Sequence, residues 1–500
     1  MRFIPEQING SLLRIGPAKW DFKNFTMNHW LDGSAMVVKF RIENGNVYFS
    51  SKFLDSDAYR RLTVVNKPVF TEFGTRAYPD PCKNLFARFF SQIVPSDLTD
   101  NDISNIYQLK DEIYVATESC NIWRIDSETL DSIQKVNLDK LVGVNIASSH
   151  PHYSDGEGCS YNLGSSFLTG MRYHIVKIPT SNNKSESVKE NCEYSNASIV
   201  TTIPSSSKTC FSYNHSFAMT EKYVIIIEQP LLVNGFKLAT CTPKGKALVD
   251  CLEWHADEPA RFHVIEKESG ERLAVNYQSE AFFFFHVINA YEEDDHVIVD
   301  LIAYEDATIL TKYELSKLRG NEWDASCPPA AKRFVLPLQK QEFEKNKNLV
   351  KISNCGATAT ITKGNVVLLT PESLGPKGFE LPVINYKSFN GRNYRYVYGS
   401  GVFERGFYSN SICKLDVKTK KVLLWKDTET SYPGETVFIP RPTAVSEDDG
   451  FLLSVVLEVD PCKSHYLLVM DAQSFTEMGR AYIDHDEAQV PPTIHGLFLD

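Results

Sequence analysis

Four of the twelve histidines lie where an imidazole side chain needs a partner. Each is flanked by apolar or small residues, and burying an unpaired polar ring there would be costly. Taken singly, such a histidine is more often a hydrogen-bonded core residue than a metal ligand. Together they could bind one metal ion, if the fold brings together positions separated by 65, 71 and 209 residues. The four are His150 in Ser-Ser-His-Pro-His, His215 in Tyr-Asn-His-Ser-Phe, His286 after four phenylalanines, and His495 in Thr-Ile-His-Gly-Leu.

The remaining composition narrows the classes of function. The 11 cysteines are an odd number without a CxxC pair, so neither a thiolate zinc site nor a disulfide framework is indicated. A net charge of −11 argues against nucleic acid as a partner. Because the first residues lack a signal-peptide pattern and no run of about 18 apolar residues occurs, we expect a cytoplasmic protein without a membrane-spanning helix.

Most of the 500 residues have the pattern of short strands separated by turns. Residues 36–42 and 47–53 flank an Asn-Gly turn, which is typical of a hairpin. A strand, an Asp-centred turn and a second strand recur around Asp126, Asp416 and Asp471. Outer hairpins of propeller blades have this form, and radial repetition hides the sheet edges of a long all-β chain. We therefore predict one all-β domain over residues 1–500, built as a β-propeller.

Three segments depart from the strand pattern. Residues 181–207 are polar and predict a long surface loop. In residues 81–94 the apolar side chains fall on one helical face, and residues 230–240 are apolar around Lys237. For the last two, the pattern alone modestly favours packing against the core over insertion into one leaflet of a membrane.

The histidine motifs, read in order with several other segments, resemble the carotenoid cleavage oxygenase family. The resemblance covers the chain almost from end to end. Residues 79–82, Pro-Asp-Pro-Cys, and Phe285–Glu292 resemble the animal branch of the family. The other segments that carry it are Leu12–Pro17, Asn28–Gly33, Ser51–Ser56, Glu72–Thr75, Tyr78–Lys83 and Asp448–Ser454.

The resemblance implies a seven-bladed β-propeller with iron(II) on its axis and a cap of helices and loops over the top face. The ligands would be His150, His215, His286 and His495, with His152 a weaker competitor of His150. Membrane-facing insertions of the cap would lie at about 76–100 and 228–260. Four neutral imidazoles bring no anionic ligand, so carboxylates behind them would orient the rings and offset the charge. The implied carboxylates are Glu118, Glu380 and Glu435, which would serve three of the four histidines, and Thr117 would lie near an open iron position.

The implied activity is addition of dioxygen across a double bond of a carotenoid such as zeaxanthin or β-carotene, giving two aldehydes without a protein acid or base. Gly33–Met36 and Arg14–Pro17 favour the isomerooxygenase subgroup of the animal branch. Members of that subgroup cleave the central 15,15′ bond and convert one half to the 11-cis form, for visual chromophore production. Plain central cleavage, eccentric 9,10 cleavage, retinoid isomerisation, non-catalytic carotenoid binding and an interaction scaffold stay open.

Because carotenoids are nearly insoluble in water, the resemblance also implies peripheral, monotopic association with a membrane surface. Apolar side chains would enter the leaflet while nearby lysine and arginine side chains meet head groups. Cys82 is a candidate lipidation site, and a structural thiol is an equal alternative. We expect a monomer or a weak dimer. The membrane-facing side chains would be Leu85, Phe86, Phe89, Phe90, Leu231, Leu232 and Phe236.

Overall fold

Antiparallel sheets of short strands make up most of the computed structural model. Seven of the sheets contain a run of four antiparallel strands, which is the pattern of a propeller blade. The predicted all-β class is therefore confirmed. The structure describes residues 4–78, 98–154, 157–167, 170–180, 192–320, 324, 326–338, 347–362, 364–401, 410–484 and 489–500.

Six of the four-stranded runs follow one another along the chain. In two of them the first strand is divided into two short pieces. The strands are, sheet by sheet, Asn105–Leu109, Glu112–Ala116, Asn121–Ile125 and Ser132–Asn137; Ile146–Ala147 with His152–Ser154, Cys159–Ser166, Arg172–Pro179 and Ser198–Pro204; Ala218–Met219, Tyr223–Glu228, Ala260–Glu266 and Asn276–Ser279; Phe283–Glu293, His296–Tyr304, Ala330–Pro337 and Glu372–Lys377; Phe379–Val383, Tyr396–Gly401, Ser411–Asp416 and Lys421–Trp425; Ser431–Pro433 with Val437–Pro440, Gly450–Glu458, Tyr466–Asp471 and Thr476–Tyr482.

The seventh sheet, called the terminal sheet below, joins the two ends of the described chain. Its strand order is His495–Leu499, Gly10–Lys19, Ser34–Glu43 and Asn46–Phe53. The first and last strands pair antiparallel, with Ile15 opposite His495. The position of His495, the last of the four predicted ligands, is therefore set by its pairing with the strand Gly10–Lys19.

Short elements lie outside these runs. The longest helix has nine residues, and no helix in the described ranges is long and apolar enough to cross a membrane. The additional strands are Asp21–Phe22, Phe25–Thr26, Cys210–Ser212, Leu231–Asn234, Leu252–Trp254, Thr358–Ile361 and Val366–Thr370. The α-helices are Asp57–Val65, Leu138–Val142, Gly235–Thr240, Ile309–Lys312, Leu315–Arg319 and Tyr386–Phe389, and the 3-10 helices are Trp30–Asp32, Glu193–Asn196 and Leu248–Cys251.

Local sequence signals account for the hairpins. Asn44 and Gly45 have φ values of 52° and 76°, as the two central residues of a type I′ turn require. In each predicted Asp-centred turn, the carboxylate accepts hydrogen bonds from backbone N–H groups two or three residues later. The loop predicted for residues 181–207 is wrong at its end, where Ser198–Pro204 forms the outer strand of a sheet. Five of its seven residues are β-branched, which favours pairing with Arg172–Pro179 despite the polar residues that precede it.

Apolar clusters fill the space between neighbouring sheets. Phe40 of the terminal sheet packs in one cluster with Leu453 and Val469 of the preceding sheet. All three side chains are completely buried. Packing of this kind between the last sheet and the terminal sheet ties the two ends of the chain to the rest of the core.

Replacing Phe40 by Ala tests this packing. Removing a buried Phe side chain leaves a cavity, and we expect the free energy of unfolding to fall by about 3–5 kcal/mol. Tyr48→Ala in the adjacent strand is the control, because Tyr48 is 50% exposed and stacks only on Arg41. Urea unfolding followed by fluorescence measures both. Equal losses in the two variants would contradict the described core.

Candidate metal centre

The four predicted histidines meet at one point. Their ring nitrogens form a chain of Nε2···Nε2 distances: 3.0 Å from His150 to His215, 3.1 Å from His215 to His286, and 3.2 Å from His286 to His495. All four candidate ligand atoms lie within 4.8 Å of one another. Nitrogens bound at adjacent positions of one transition-metal ion, with bonds of about 2.1 Å, have this spacing.

The positions of two of the histidines in their strands determine the direction of their side chains. The register between Phe283–Glu293 and its partner shifts between Phe284 and Val287, so His286 lies in a β-bulge. A bulge turns a side chain away from the regular alternation of a strand. His495 begins the last strand of the chain, opposite Ile15.

Serine side chains connect the segments that carry neighbouring histidines. The Ser148 hydroxyl accepts from the N–H of His150 and donates to the carbonyl of His215, at 3.0 and 2.6 Å. The Ser216 hydroxyl donates to the Phe285 carbonyl at 2.6 Å and accepts from the N–H of Val287 at 3.0 Å. Each serine is buried, and each fixes the backbone of one histidine segment against the next.

Three glutamates contact the Nδ1 atom of three of the histidines. The Nδ1 atoms of His215 and His286 each lie 2.7 Å from a carboxylate oxygen, of Glu118 and Glu380 respectively. The Nδ1 of His495 lies 2.6 Å from Oε1 of Glu435. A carboxylate at Nδ1 keeps the proton there and leaves the Nε2 lone pair for a metal.

Further groups hold the glutamates. The Ser149 hydroxyl donates to Glu118 at 2.7 Å, and the Tyr304 hydroxyl donates to Glu380 at 2.9 Å. Glu380 also accepts from the N–H of Leu381 at 2.5 Å, where the backbone is left-handed with a φ of 51°. A non-glycine residue in that region stores strain, which is typical of functional sites.

The third glutamate is held by an ion pair. Nη1 of Arg14 donates to Oε2 of Glu435 at 2.8 Å, on the carboxylate oxygen that His495 does not use. Arg14 is 1% exposed. The three glutamates are thus all oriented by donors other than the histidines.

The electrostatics of the centre favour a divalent cation. Burial acts to raise the pKa of Glu118, Glu380 and Glu435, but the facing imidazoles and hydrogen bonds outweigh it, so each pKa lies below its ordinary value. Three carboxylates against the Arg14 guanidinium leave two negative charges. With the Nδ1 protons directed at the carboxylates, the Nε2 lone pairs face one another at about 3 Å, and a cation among them removes that repulsion. The residues present therefore fit a divalent transition metal.

His150 differs from the other three histidines. In the ranges that the structure describes, no carboxylate contacts its ring, which answers a question that the sequence left open. Burial and the three neighbouring imidazoles hold its pKa well below the ordinary value, so the ring is neutral and able to bind a metal. His152 lies outside the cluster, since its two ring nitrogens bond to the Tyr386 hydroxyl at 2.8 Å and the Phe217 carbonyl at 2.9 Å.

The structure places Thr117 immediately before Glu118, with its hydroxyl 2.9 Å from Ser104 Oγ. A cavity of about 1610 Å³ reaches the metal centre, and Thr117 is not among the residues that line it. It is lined by His150, His286 and His495 near the cluster and by charged residues such as Glu43 and Lys110 farther away. Small polar molecules can therefore approach the cluster through a partly polar space.

The predicted membrane-facing residues divide into two groups. Phe236, in the helix Gly235–Thr240, is 70% exposed, and Lys244 lies 4.9 Å above its ring. Leu232 is half-buried. Leu231 is only 2% exposed and packs in the core, so a leaflet-contacting role for it is wrong in this conformation. Cys82, Leu85, Phe86, Phe89 and Phe90 lie outside the described residues.

Several residues of the site were not predicted from the sequence. Arg14, Ser149 and Tyr304 orient the glutamates, while Ser148 and Ser216 connect the histidine segments. A signal existed for Arg14, because a charged residue within the apolar strand Leu-Leu-Arg-Ile must find a buried partner. The others are ordinary strand residues in the sequence.

Removing one histidine tests the metal centre. His286→Ala deletes a central member of the cluster and leaves Glu380 without its imidazole, so we expect Co²⁺ affinity to fall more than about 100-fold, beyond the usual effect of losing an outer partner. His296→Ala is the matched control, because His296 is equally buried in the same hairpin but bonds to backbone carbonyls. Metal content and Co²⁺ titration distinguish the two. Undiminished binding by His286→Ala would refute the assignment.

Comparison with known proteins agrees with this geometry. The family model described as RPE65, retinal pigment epithelial membrane protein, matches residues 3–500. Human mitochondrial carotenoid-cleaving dioxygenase is 39% identical over 99% of this chain and 86% of its own length. Chicken β,β-carotene 15,15′-dioxygenase is 38% identical over 99% of this chain and 94% of its own length. A crystal structure of cobalt-substituted Synechocystis ACO covers 100% of this chain and 94% of that chain, with a TM-score of 0.77 and 22% identity, which shows a shared fold. The chain therefore belongs to the RPE65/carotenoid oxygenase family.

Proposed function

We propose that this protein is an iron(II)-dependent dioxygenase that cleaves a carotenoid into two aldehydes. The observation that carries the proposal is the four-histidine cluster with three glutamates behind it, in a chain about 38% identical to dioxygenases named for carotenoid cleavage. Zeaxanthin and β-carotene are the proposed substrates, with O₂ as the second. Bound iron would supply the activation of dioxygen.

The side chains of the protein would hold the metal in place and balance its charge. His150, His215, His286 and His495 would hold the metal through Nε2, and the carboxylates would keep the proton of three rings at Nδ1. Phe285 lies beside the cluster, with its ring centroid 5.4 Å from that of His215 and 5.9 Å from that of Tyr304. Such aromatic surfaces suit an apolar polyene and keep water from it. No side chain is required as an acid or a base.

We further propose the architecture in which this chemistry takes place. The seven four-stranded runs are the blades of one propeller over residues 1–500, with the metal on its axis. Segments at about 76–100 and 228–260 form part of a cap over the top face. Support comes from the blade pattern and from the way histidines of different sheets meet at one point.

Cleavage at the central 15,15′ bond, with isomerisation of one half to the 11-cis form for visual chromophore production, is the finer proposal. The name of the chicken relative supports central cleavage, and Gly33–Met36 with Arg14–Pro17 supports the isomerooxygenase subgroup. Retinoid isomerisation alone is the second candidate, because the matching family model is described by the retinal pigment epithelial protein.

Product analysis tests this proposal. Iron-loaded protein is incubated under air with all-trans zeaxanthin or β-carotene, and the aldehydes are identified by chromatography. We expect two C20 aldehydes, because addition of the two atoms of O₂ across the central 15,15′ bond leaves halves of equal length, and one of them should be 11-cis because of the proposed isomerisation. Glu380→Gln should lower turnover, whereas Glu372→Gln, an equally buried glutamate bonded to Lys420 and Gly356, should not.

Other products would correct the proposal in definite ways. All-trans C20 products alone would leave central cleavage without isomerisation, and unequal fragments would mean eccentric cleavage. An absence of product from protein that holds iron would contradict the dioxygenase proposal and favour retinoid isomerisation or carotenoid binding.

We also propose that the protein is cytoplasmic and associates peripherally with a membrane, as a monomer or weak dimer. The exposed Phe236, with Lys244 4.9 Å from its ring, supports the membrane association, since an aromatic side chain beside a basic residue suits an anionic lipid surface. The segment with Phe86 and Phe89 would share that surface, and Cys82 is a proposed lipidation site.

Substitution of Phe236 by Asp tests the membrane surface. Because burial of a Phe side chain contributes about 1.5–3 kcal/mol, binding to vesicles that contain phosphatidylserine should weaken by about tenfold or more. Leu424→Asp is the control, since Leu424 is 56% exposed on the outer strand Lys421–Trp425. Co-sedimentation measures both. If the Leu424 variant loses as much binding as the Phe236 variant, the surface is misplaced.

A further inference from the structure

Arg14 is the one guanidinium that touches a glutamate of the described metal centre. Its three donor groups are all engaged: Nη1 with Glu435 at 2.8 Å, Nη2 with the Ile494 carbonyl at 3.0 Å, and Nε with Thr493 Oγ1 at 3.3 Å. Two of these acceptors immediately precede His495 in the chain. The side chain therefore bonds both to the carboxylate behind His495 and to the backbone that leads into it.

The terminal sheet is built around this side chain. Arg14 lies opposite Gly496 in the pairing of the first and last strands. A Cβ atom at position 496 would lie 2.4 Å from Arg14 Cδ and 2.2 Å from the Leu13 carbonyl, so any side chain there would displace the arginine. The glycine after His495 thus makes room for Arg14 to reach Glu435.

Charge and shape both favour arginine at this position. Glu435 is 6% exposed, and its two carboxylate oxygens are taken by different partners, Oε1 by His495 and Oε2 by Arg14. The planar guanidinium can donate to three acceptors in fixed directions, whereas a lysine would supply the charge at a single point. Arg14 also accounts for the difference between three negative charges behind the histidines and the two positive charges of a divalent metal.

We propose that Arg14 is a positioning residue of the metal centre, which fixes His495 through Glu435 and makes metal retention depend on the pairing of the first and last strands. The inference rests on the metal proposed for this site and not on the carotenoid substrate. It concerns how tightly and in what orientation the fourth histidine is held.

The test measures metal dissociation from folded protein. Wild-type protein, Arg14→Met, Arg14→Lys and Glu435→Gln are loaded with Co²⁺, and release into excess chelator is followed by the visible absorption of the bound ion. We expect release from Arg14→Met and Glu435→Gln to be about 10- to 100-fold faster, the range for loss of an outer partner. Arg14→Lys should lie between wild type and Arg14→Met, with altered Co²⁺ absorption bands.

Arg333→Met is the matched control. Arg333 forms a buried ion pair with Asp300, with two hydrogen bonds of 2.8 and 2.7 Å, and its strand is separated by one strand from the strand that carries His286. Its loss should lower the melting temperature but change the Co²⁺ release rate less than about twofold. If Arg333→Met accelerated release as strongly as Arg14→Met, general destabilisation would explain the effect and the proposal would fail.

A double variant separates action through Glu435 from other roles. In the Glu435→Gln background, Arg14→Met should add less than about threefold to the release rate, because the carboxylate through which it acts is gone. If the effects of the two substitutions on the Co²⁺ release rate were fully additive, the proposal would be overturned. It would also be overturned if folded Arg14→Met released Co²⁺ at the wild-type rate. If Arg14→Met does not fold, the same criterion applies to Arg14→Lys. If wild-type protein did not bind Co²⁺, both the metal centre and this inference would be refuted. If metal-loaded protein bound Co²⁺ but did not cleave carotenoids, only the proposed substrate would be refuted.

Discussion

The structure depends on the convergence of four imidazole lone pairs at one point. Nitrogens about 3 Å apart repel one another unless a cation lies among them. Glutamates contact the Nδ1 atoms of three rings, and burial and the neighbouring imidazoles hold the pKa of His150, the fourth ring, well below its ordinary value. The negative charge sits behind the rings and not on the metal, so the ligand set itself is uncharged. Because no ligand is anionic, the positive charge of a divalent ion at such a site would not be neutralised by its ligands and could polarise a small neutral molecule bound beside it.

Two departures from regular sheet geometry lie at this point. Bulges occur beside His286 and after Glu380. Leu381 adopts a left-handed backbone conformation, and its N–H donates a hydrogen bond to the Glu380 carboxylate. Each costs free energy, of the order of 1–3 kcal/mol for the left-handed residue. In the apolar clusters between the sheets, side chains are buried completely. A rigid, well-packed frame can hold such strained backbone in place.

Sequence reasoning predicted what short-range patterns determine. The Asn-Gly hairpin and the three Asp-centred turns follow from local conformational preferences, and alternating β-branched runs locate the strands. The four ligands and three glutamates were assigned through a family resemblance, because positions 209 residues apart meet only through the tertiary fold. The strand Ser198–Pro204 was missed because the polar residues before it dominated the interpretation of residues 181–207, although five of its own seven residues are β-branched. His150 as the ring without a carboxylate depended on side-chain geometry that no spacing encodes.

The terminal sheet shows why fold and site cannot be separated in this chain. His495 lies five residues before Asp500 and Arg14 lies near the beginning of the sequence, yet they share one pair of hydrogen-bonded strands and one glutamate. An open arrangement of the other six sheets would still hold His150, His215 and His286, but it would lack both His495 and the cation that balances Glu435. The complete ligand set therefore exists only when the two ends of the chain are paired. Free energy of metal binding then stabilises that pairing, because a ligand that binds only the closed state shifts the equilibrium toward it.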